Sequence, residues 1–276
     1  MILVVYPNRA FFYELILPLY NYLKSICECK LVPSNQLDHK TEQLCVGIFN
    51  GINHLPKNYI PWILEPPTSW RVVKDKSYVN HMKNSKRMLC LYEKHLDFYK
   101  KFNKNTIFFP YTWDKLIENT YKVKLPIKQD IDVLFYGCID NKSIRRNKLL
   151  KKIKDNGINL FIAPICYGKK RDTLIHRSKI VFLVNYYENN CDICRITYLV
   201  SNKKFVLIDD WCLVESVKKL YGNKLKFTNE NNMIEKINYY LKNEKDRCKI
   251  IEESYDYIKK NVIAENYISD NKLFSS

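Results

Sequence analysis

Short apolar runs recur along the chain, separated by longer stretches in which apolar and charged residues mix. Such runs predict buried strands, and strands that alternate with helices predict parallel sheets covered by helices. In the first half we expect strands at Ile2–Tyr6, Cys45–Phe49, Tyr59–Leu64, Arg87–Tyr92 and Thr106–Phe109. The periodic segment Phe11–Ser25 predicts a covering helix that Pro18 kinks or ends early, and Glu93–Phe102 predicts a second helix.

The second half repeats this alternation of strand and helix. In chain order we expect strand Asp132–Tyr136, helix Arg145–Lys154, strand Leu160–Pro164, helix Arg171–Arg177, strand Ile180–Val184, helix Asp192–Val200, strand Lys204–Ile208 and helix Cys212–Leu220. After Phe227 the pattern predicts helices almost to the end of the sequence, through Met233–Leu241, Lys245–Lys260 and Ala264–Ser269.

Between Tyr111 and Asp130 the pattern loosens into polar and basic residues, and we place a domain boundary there. The predicted fold class is α/β, with two Rossmann-like, doubly wound parallel-sheet domains, 1–120 and 121–276, that face a central cleft. We expect the C-terminal helices to pack back on the N-terminal domain. Ligands of open α/β sheets bind at the carboxyl ends of the strands, so the cleft is the expected site.

Composition excludes several classes of function. The chain has only 6 glycines, and neither G-x-G-x-x-G nor G-x-x-x-x-G-K-[ST] occurs, which argues against ordinary dinucleotide dehydrogenases and P-loop NTPases. No signal peptide or apolar run of the ~18–20 residues that a membrane span needs is visible. We therefore expect a cytoplasmic protein whose 10 cysteines are reduced thiols. Cys191 and Cys194 form a single C-x-x-C with no second pair, so no metal site is expected.

The charge is strongly positive. Lys+Arg is 46 and Asp+Glu is 29, and the difference, 46 − 29, is the net charge of +17. Such a field attracts nucleic acid, an acidic membrane or a phosphorylated small molecule. The basic residues are spread through both halves, so much of the surplus is equally explained as a solvated surface without a specific partner.

Two segments of the second half carry candidate chemistry. The predicted strand Asp132–Tyr136 ends in Gly137, and Arg145 and Arg146 follow at the start of the next helix. Guanidinium groups at a helix N-terminus can bind a diphosphate, and a solvated basic first turn is the alternative.

The other segment begins with the apolar strand that ends at Asn185 and Tyr186, followed by Asp192 and Arg195 on the first turn of a helix. A carboxylate there can accept hydrogen bonds from ribose or sugar hydroxyls. The alternative is structural, with Asp192 as the N-cap of its own helix and Arg195 paired with Asp209 or Asp210.

Together these residues resemble the C-terminal domain of GT-B glycosyltransferases, and in particular the short proteins similar to glycosyltransferase family 1 in giant DNA viruses and some bacteria. The stretches that carry the resemblance are Asp132–Arg146, Arg177–Tyr187 and Asp192–Asp210, with softer matches at Trp62–Pro67, Leu91–His95 and Phe108–Tyr111.

The resemblance implies a metal-independent glycosyltransferase, either a hexosyl- or a pentosyltransferase, without a resident cofactor. It would move a sugar from a UDP- or GDP-type nucleotide sugar to a glycan or glycoprotein acceptor, in the host cytoplasm if the source is viral. The C-terminal domain would bind the nucleotide sugar and the N-terminal domain the acceptor. The residues expected to bind the donor diphosphate are Gly137, Arg145, Arg146, Asn185, Tyr186, Asp192 and Arg195, with Lys169 and Lys170 as second choices.

The N-terminal domain has its own candidates. An inverting enzyme needs a base for the acceptor hydroxyl, and Glu65 at a strand end is the first candidate and His54 the second. A structural carboxylate and an ordinary loop histidine are the alternatives. Asn8 and Arg9 follow the first strand, where they either contact acceptor or donor or form a surface loop.

The chain also departs from the family pattern. Asn185 stands where a histidine is expected, and Tyr198 replaces a second helix carboxylate that many retaining members place on the ribose. Inversion is therefore slightly favoured. Two other functions stay open: a nucleic-acid-binding protein or DNA-modifying glycosyltransferase, and an inactive transferase-like subunit.

Overall fold

The computed structural model describes residues 1–49, 55–141, 143–164, 166–186, 190–211 and 214–268. The chain divides into two compact units. The N-terminal unit comprises Met1–Leu116 with Ile263–Ser276, and the C-terminal unit comprises Ile117–Val262. The boundary therefore falls a few residues before the predicted one. No helix of the described residues is long and apolar enough to cross a membrane.

The N-terminal unit is a parallel sheet with the strand order β2-β1-β3-β4-β5-β6. Its elements are β1 (Ile2–Tyr6), α1 (Ala10–Ile26), β2 (Cys29–Pro33), β3 (Cys45–Gly47), β4 (Tyr59–Ile63), α2 (Trp70–Lys74), α3 (Lys76–Asn84), β5 (Met88–Cys90), α4 (Leu96–Lys100) and β6 (Thr106–Phe108). The five predicted strands are present, while β2, α2 and α3 were not predicted.

An early end of the helix at Pro18 is wrong, because α1 continues through it to Ile26, and a kink there stays a prediction. Proline removes one backbone donor from the helix, which favours a break. Here Pro18 and its neighbours Leu15, Leu19 and Leu23 are buried, and this apolar burial outweighs the lost hydrogen bond.

The C-terminal unit is a second parallel sheet, with the order β11-β10-β9-β7-β8. Its elements are β7 (Ile131–Tyr136), α5 (Ile144–Asp155), β8 (Leu160–Ala163), α6 (Gly168–Arg177), β9 (Ser178–Leu183), α7 (Ile193–Ser201), β10 (Val206–Asp209), α8 (Val214–Tyr221), β11 (Lys226–Thr228), α9 (Met233–Lys242) and α10 (Glu244–Asn261). The fully buried side chains Val133, Phe135, Ile180 and Leu207 form its core between sheet and helices.

The end of the chain is divided between the units. Helix α10 packs on α7, α8 and α9, so it belongs to the C-terminal unit. The part assigned to the N-terminal unit begins at Ile263. A short 3-10 turn, Ala264–Asn266, packs on α1, and the hydroxyl of Tyr22 donates to the carbonyl of Ile268 at 2.8 Å.

Both sheets have a point at which the strand order reverses. In the C-terminal unit, β8 lies on one side of β7 and the next strand, β9, lies on the other. In the N-terminal unit, β2 and β3 flank β1 in the same way. The connections that follow the two adjacent strands at such a reversal run to opposite faces of the sheet and leave a crevice for ligands at the carboxyl ends. The topology therefore directs attention to the residues that follow β7, β9 and β1.

Candidate functional site

Gly137 follows β7 at this reversal and has a φ of +144°, a conformation that residues with a side chain rarely adopt. A Cβ atom built on it would lie 3.2 Å from Nη1 of Arg195. A glycine here therefore allows both the backbone turn and the close approach of that guanidinium.

Arg195 reaches this turn from the first turn of α7. Its Nη1 donates to the carbonyl of Tyr136 at 2.9 Å, and its Nη2 lies 2.9 Å from a carboxylate oxygen of Asp192. The same carboxylate accepts the backbone N–H of Arg195 at 3.0 Å, so Asp192 is the N-cap of α7. The structural role that the sequence left open for Asp192 is therefore present, whereas among the described residues Arg195 forms no ion pair with Asp209 or Asp210.

Arg146, on α5, lies beside Arg195 and is 4% exposed. Its Nε donates to the carbonyl of Val184 at 2.9 Å, and its Nη1 donates to that of Cys138 at 2.8 Å. These two bonds hold together the segments that follow β9 and β7. No carboxylate of the described residues forms an ion pair with it, although buried arginines usually have such a partner.

The electrostatic environment of Arg146 combines burial with the charges of Arg195 and Asp192, which act in opposite directions. Burial, together with the charge of Arg195, lowers the pKa of Arg146 to about 10. The guanidinium remains charged at neutral pH, and it lies 5.2 Å from the ring centre of Tyr186 and 5.6 Å from that of Phe135. A buried cation without a paired anion attracts a negatively charged ligand.

Asn185 lies two residues after the end of β9 and is 3% exposed. Its Oδ1 accepts the backbone N–H of Asp192 at 2.9 Å, which fixes the orientation of the amide. Its Nδ2 is buried and has no hydrogen-bond partner in the described part of the chain. A buried unpaired donor is costly, and an acceptor from a ligand would satisfy it.

The remaining residues predicted to bind the donor diphosphate have other contacts. The hydroxyl of Tyr186 donates to Asp140 at 2.9 Å. Arg145 binds the fully buried Asp209 through both carboxylate oxygens, each at 2.7 Å, and its guanidinium lies 5.2 Å from the ring centre of Trp211. Arg145 is therefore neutralised by a buried carboxylate, unlike Arg146, and its role as a diphosphate ligand stays a prediction.

Sequence reasoning missed a buried network behind this site. The hydroxyl of Tyr198 donates to Asp172 at 2.6 Å, and Arg171 binds the other oxygen of that carboxylate at 2.6 Å and 3.0 Å. The guanidinium of Arg171 lies 4.3 Å from the ring centre of Tyr198, and all three residues are at most 4% exposed. Arg171 and Asp172 lie in a run of charged residues, Lys169–Asp172, which gave no sign that two of them would be buried.

The predicted residues of the N-terminal unit lie at its own strand ends. Asn8 and Arg9 follow β1 and are exposed, and Arg9 occupies the N-cap position of α1. Glu65 follows β4, in the middle of the sheet order. His54 lies outside the described residues.

Glu65 is held by a defined set of contacts. Its carboxylate lies 3.4 Å from Nε of Arg71, and its backbone carbonyl accepts the hydroxyl of Tyr99 at 2.5 Å. Burial raises the pKa of Glu65, while the charge of Arg71 and the hydroxyl of Ser69 act in the opposite direction. A raised pKa makes a carboxylate a stronger base than it is in water.

No group of three or more His, Cys, Asp or Glu side chains in the described residues could hold a metal ion. Cys191 and Cys194 are both buried, and neither is in a disulfide.

The two parallel-sheet units have the GT-B fold, which solved glycosyltransferases share. WaaG, a glycosyltransferase involved in lipopolysaccharide biosynthesis, matches 96% of this chain and 97% of its own at a TM-score of 0.60 and 11% identity. A glycosyltransferase from Rickettsia africae matches 96% of this chain and 94% of its own, at a TM-score of 0.54 and 9% identity. Anabaena HepE, solved in complex with UDP, matches 96% of both chains at a TM-score of 0.53 and 8% identity.

At these identities the likeness is one of fold. No protein-family model and no curated protein sequence matches the chain. The expected fold class, two parallel α/β sheets of the GT-B type, is confirmed.

Proposed function

We propose that the protein is a glycosyltransferase that moves a sugar from a nucleoside-diphosphate donor, of UDP or GDP type, to a glycan or glycoprotein acceptor. The observation that carries this proposal is a pair of buried groups that lack a partner in the described residues. The guanidinium of Arg146, beside Arg195, has no carboxylate partner, and Nδ2 of Asn185 has no hydrogen-bond partner. All three lie where the C-terminal sheet reverses, the usual place for a nucleotide in open α/β sheets.

The donor diphosphate binds these groups in the proposed mechanism. During transfer an acceptor oxygen attacks the anomeric carbon, and the bond from that carbon to the diphosphate oxygen breaks. Arg146 and Arg195 stabilise the negative charge that develops on the departing diphosphate, which is work that a metal ion would otherwise do. The site therefore works without a metal.

Glu65 accepts the proton of the acceptor hydroxyl in this proposal. Its position after β4 and its raised pKa support the role of general base. We favour inversion at the anomeric carbon because position 198 carries a tyrosine whose hydroxyl is bound to Asp172, so α7 offers no carboxylate there. Nuclear magnetic resonance of the first-formed product would give its anomeric configuration.

A thermal-shift panel of UDP, GDP and their sugar conjugates, with a chelator and at low and moderate salt, tests the donor class. Assays for release of the sugar follow for each nucleotide that binds. We expect at least one nucleotide to raise the melting temperature of the wild type, and Arg146→Met to abolish the rise. If no nucleotide binds, the proposal is refuted; strong salt-dependent binding of duplex DNA instead would favour the nucleic-acid function.

A further inference from the structure

The helix that follows Glu65 carries a tryptophan on its surface. Trp70 begins α2 and is 60% exposed, whereas Trp62 on β4 is fully buried. A tryptophan left largely in water contributes little to the core, and the exposed part of its ring is free to pack on a ligand.

Polar partners for a ligand lie directly beside it. The Arg71 guanidinium lies 5.8 Å from the ring centre of Trp70 and 3.4 Å from the carboxylate of Glu65. One guanidinium therefore links the aromatic ring to the carboxylate, and both charged side chains keep part of their surface in solvent. The hydroxyl of Tyr78, which is buried and has no hydrogen-bond partner in the described residues, has its pKa raised by burial and by the nearby Glu65 charge.

The local backbone holds these groups in place. The hydroxyl of Ser69 caps α2 by accepting the N–H of Val72, and the Tyr99 hydroxyl is bound to the carbonyl of Glu65. The side chain of Tyr99 is itself fully buried. The ring, guanidinium and carboxylate are thus supported by fixed backbone, which lowers the entropy that a ligand would have to overcome.

We propose that Trp70, Arg71 and Glu65 form a binding site for a neutral sugar ring of the acceptor. One face of a pyranose consists of C–H groups that pack on an aromatic ring, and its rim consists of hydroxyls that pair with a carboxylate and a guanidinium. Since Arg71 and Glu65 offset each other's charge, the cluster favours a neutral ligand over a phosphate or a cation. The proposal extends the acceptor half of the proposed function and rests on it.

The test is the binding of neutral sugars to the full chain. The methyl glycosides of glucose, galactose, mannose and N-acetylglucosamine, with maltotriose and chitotriose, are titrated at millimolar concentrations by saturation-transfer NMR and tryptophan fluorescence. At least one is expected to bind. Trp70→Ala should weaken that binding at least about tenfold, as truncation of a central aromatic contact does. Trp70→Phe, which keeps a ring, should retain most of it.

Val73→Ala is the matched control, because Val73 lies on the same helix and is 64% exposed. It should leave sugar binding unchanged. The site is refuted if Trp70→Ala and Val73→Ala bind sugars equally, if no sugar binds, or if only phosphatidylserine vesicles or inorganic phosphate change the signal of Trp70. Titration of UDP and GDP into the same proteins separates the two proposals. If the wild type binds a nucleotide but no sugar, this site alone is refuted; if the wild type binds a sugar through Trp70 but neither nucleotide, the donor site alone is refuted.

Discussion

Replacing Gly137 by alanine should impair nucleotide binding through Arg195, a residue that the substitution does not alter. The φ of +144° at Gly137 is unfavourable for any residue with a Cβ, at a cost of about 1–3 kcal/mol in the free energy of unfolding. In addition, the new Cβ would lie 3.2 Å from Nη1 of Arg195, which now donates to the carbonyl of Tyr136 at 2.9 Å. The guanidinium must therefore shift from its present position.

Gly157 provides the control for backbone strain. Its φ is +73°, and a Cβ there would meet no atom within 4 Å. Gly157→Ala should therefore cost about 1–2 kcal/mol of stability and leave the site unchanged. Because a hydrogen bond to a charged group contributes about 1.5–3 kcal/mol, Gly137→Ala should also lose about tenfold to a hundredfold in UDP affinity.

The assay combines urea unfolding with isothermal titration of UDP at a temperature where both variants are folded. The reasoning predicts that both variants lose stability, Gly137→Ala the more, and that Gly137→Ala alone loses affinity. Equal affinities for UDP in the two variants would refute it, because the position of Arg195 would then not matter for the nucleotide.

Further variants and conditions test the surrounding groups. Asn185→Asp keeps an oxygen that accepts the backbone N–H of Asp192 but replaces the Nδ2 donor with a second oxygen. UDP affinity should therefore fall at least about tenfold, and unchanged affinity in the same titration would exclude Asn185 from the site. Tyr198→Phe removes the hydroxyl bound to Asp172 and should lower the free energy of unfolding in urea by about 1–3 kcal/mol without changing UDP affinity. A loss of UDP affinity would contradict a purely structural role of the Tyr198–Asp172 contact. Burial lowers the pKa of His95 and of His176 from 6.5 to about 4, so the unfolded state takes up protons first and the melting temperature should fall as pH drops from 6.5 to 4; a constant melting temperature would contradict this.

The sequence predicted the long, strongly patterned elements well and the short ones poorly. Strands β7 and β9 each contain four consecutive apolar residues, Val133–Tyr136 and Ile180–Leu183, and these runs identify them. The edge strand β11 has only three residues, one of them lysine, and its pairing depends on β10 rather than on its own composition. At Pro18 the local preference of proline predicts an early end of α1, but the helix continues because Pro18 and its neighbours are buried.

The candidate site was predicted as a set of residues but not as a set of contacts. Gly137 and Asn185 follow strand ends, and Arg195 lies on the first turn of the helix after β9; the topology of parallel sheets brings such positions together. Which of two adjacent arginines is unpaired could not be read from the sequence. The fully buried Asp209 binds Arg145, and only the folded structure shows that Arg146 has no such partner among the described residues.

The most direct test of the donor site is the isothermal titration of UDP and GDP, in the presence of a chelator, into the wild type, Arg146→Met and Arg177→Met. Arg177 is the matched control, because it is a half-exposed arginine of the same unit that is already paired with Asp130. We predict that one of the nucleotides binds the wild type and Arg177→Met alike, and that Arg146→Met loses the binding while it remains folded. Equal binding by all three proteins, or binding by none, would contradict the assignment of a nucleoside-diphosphate site to Arg146.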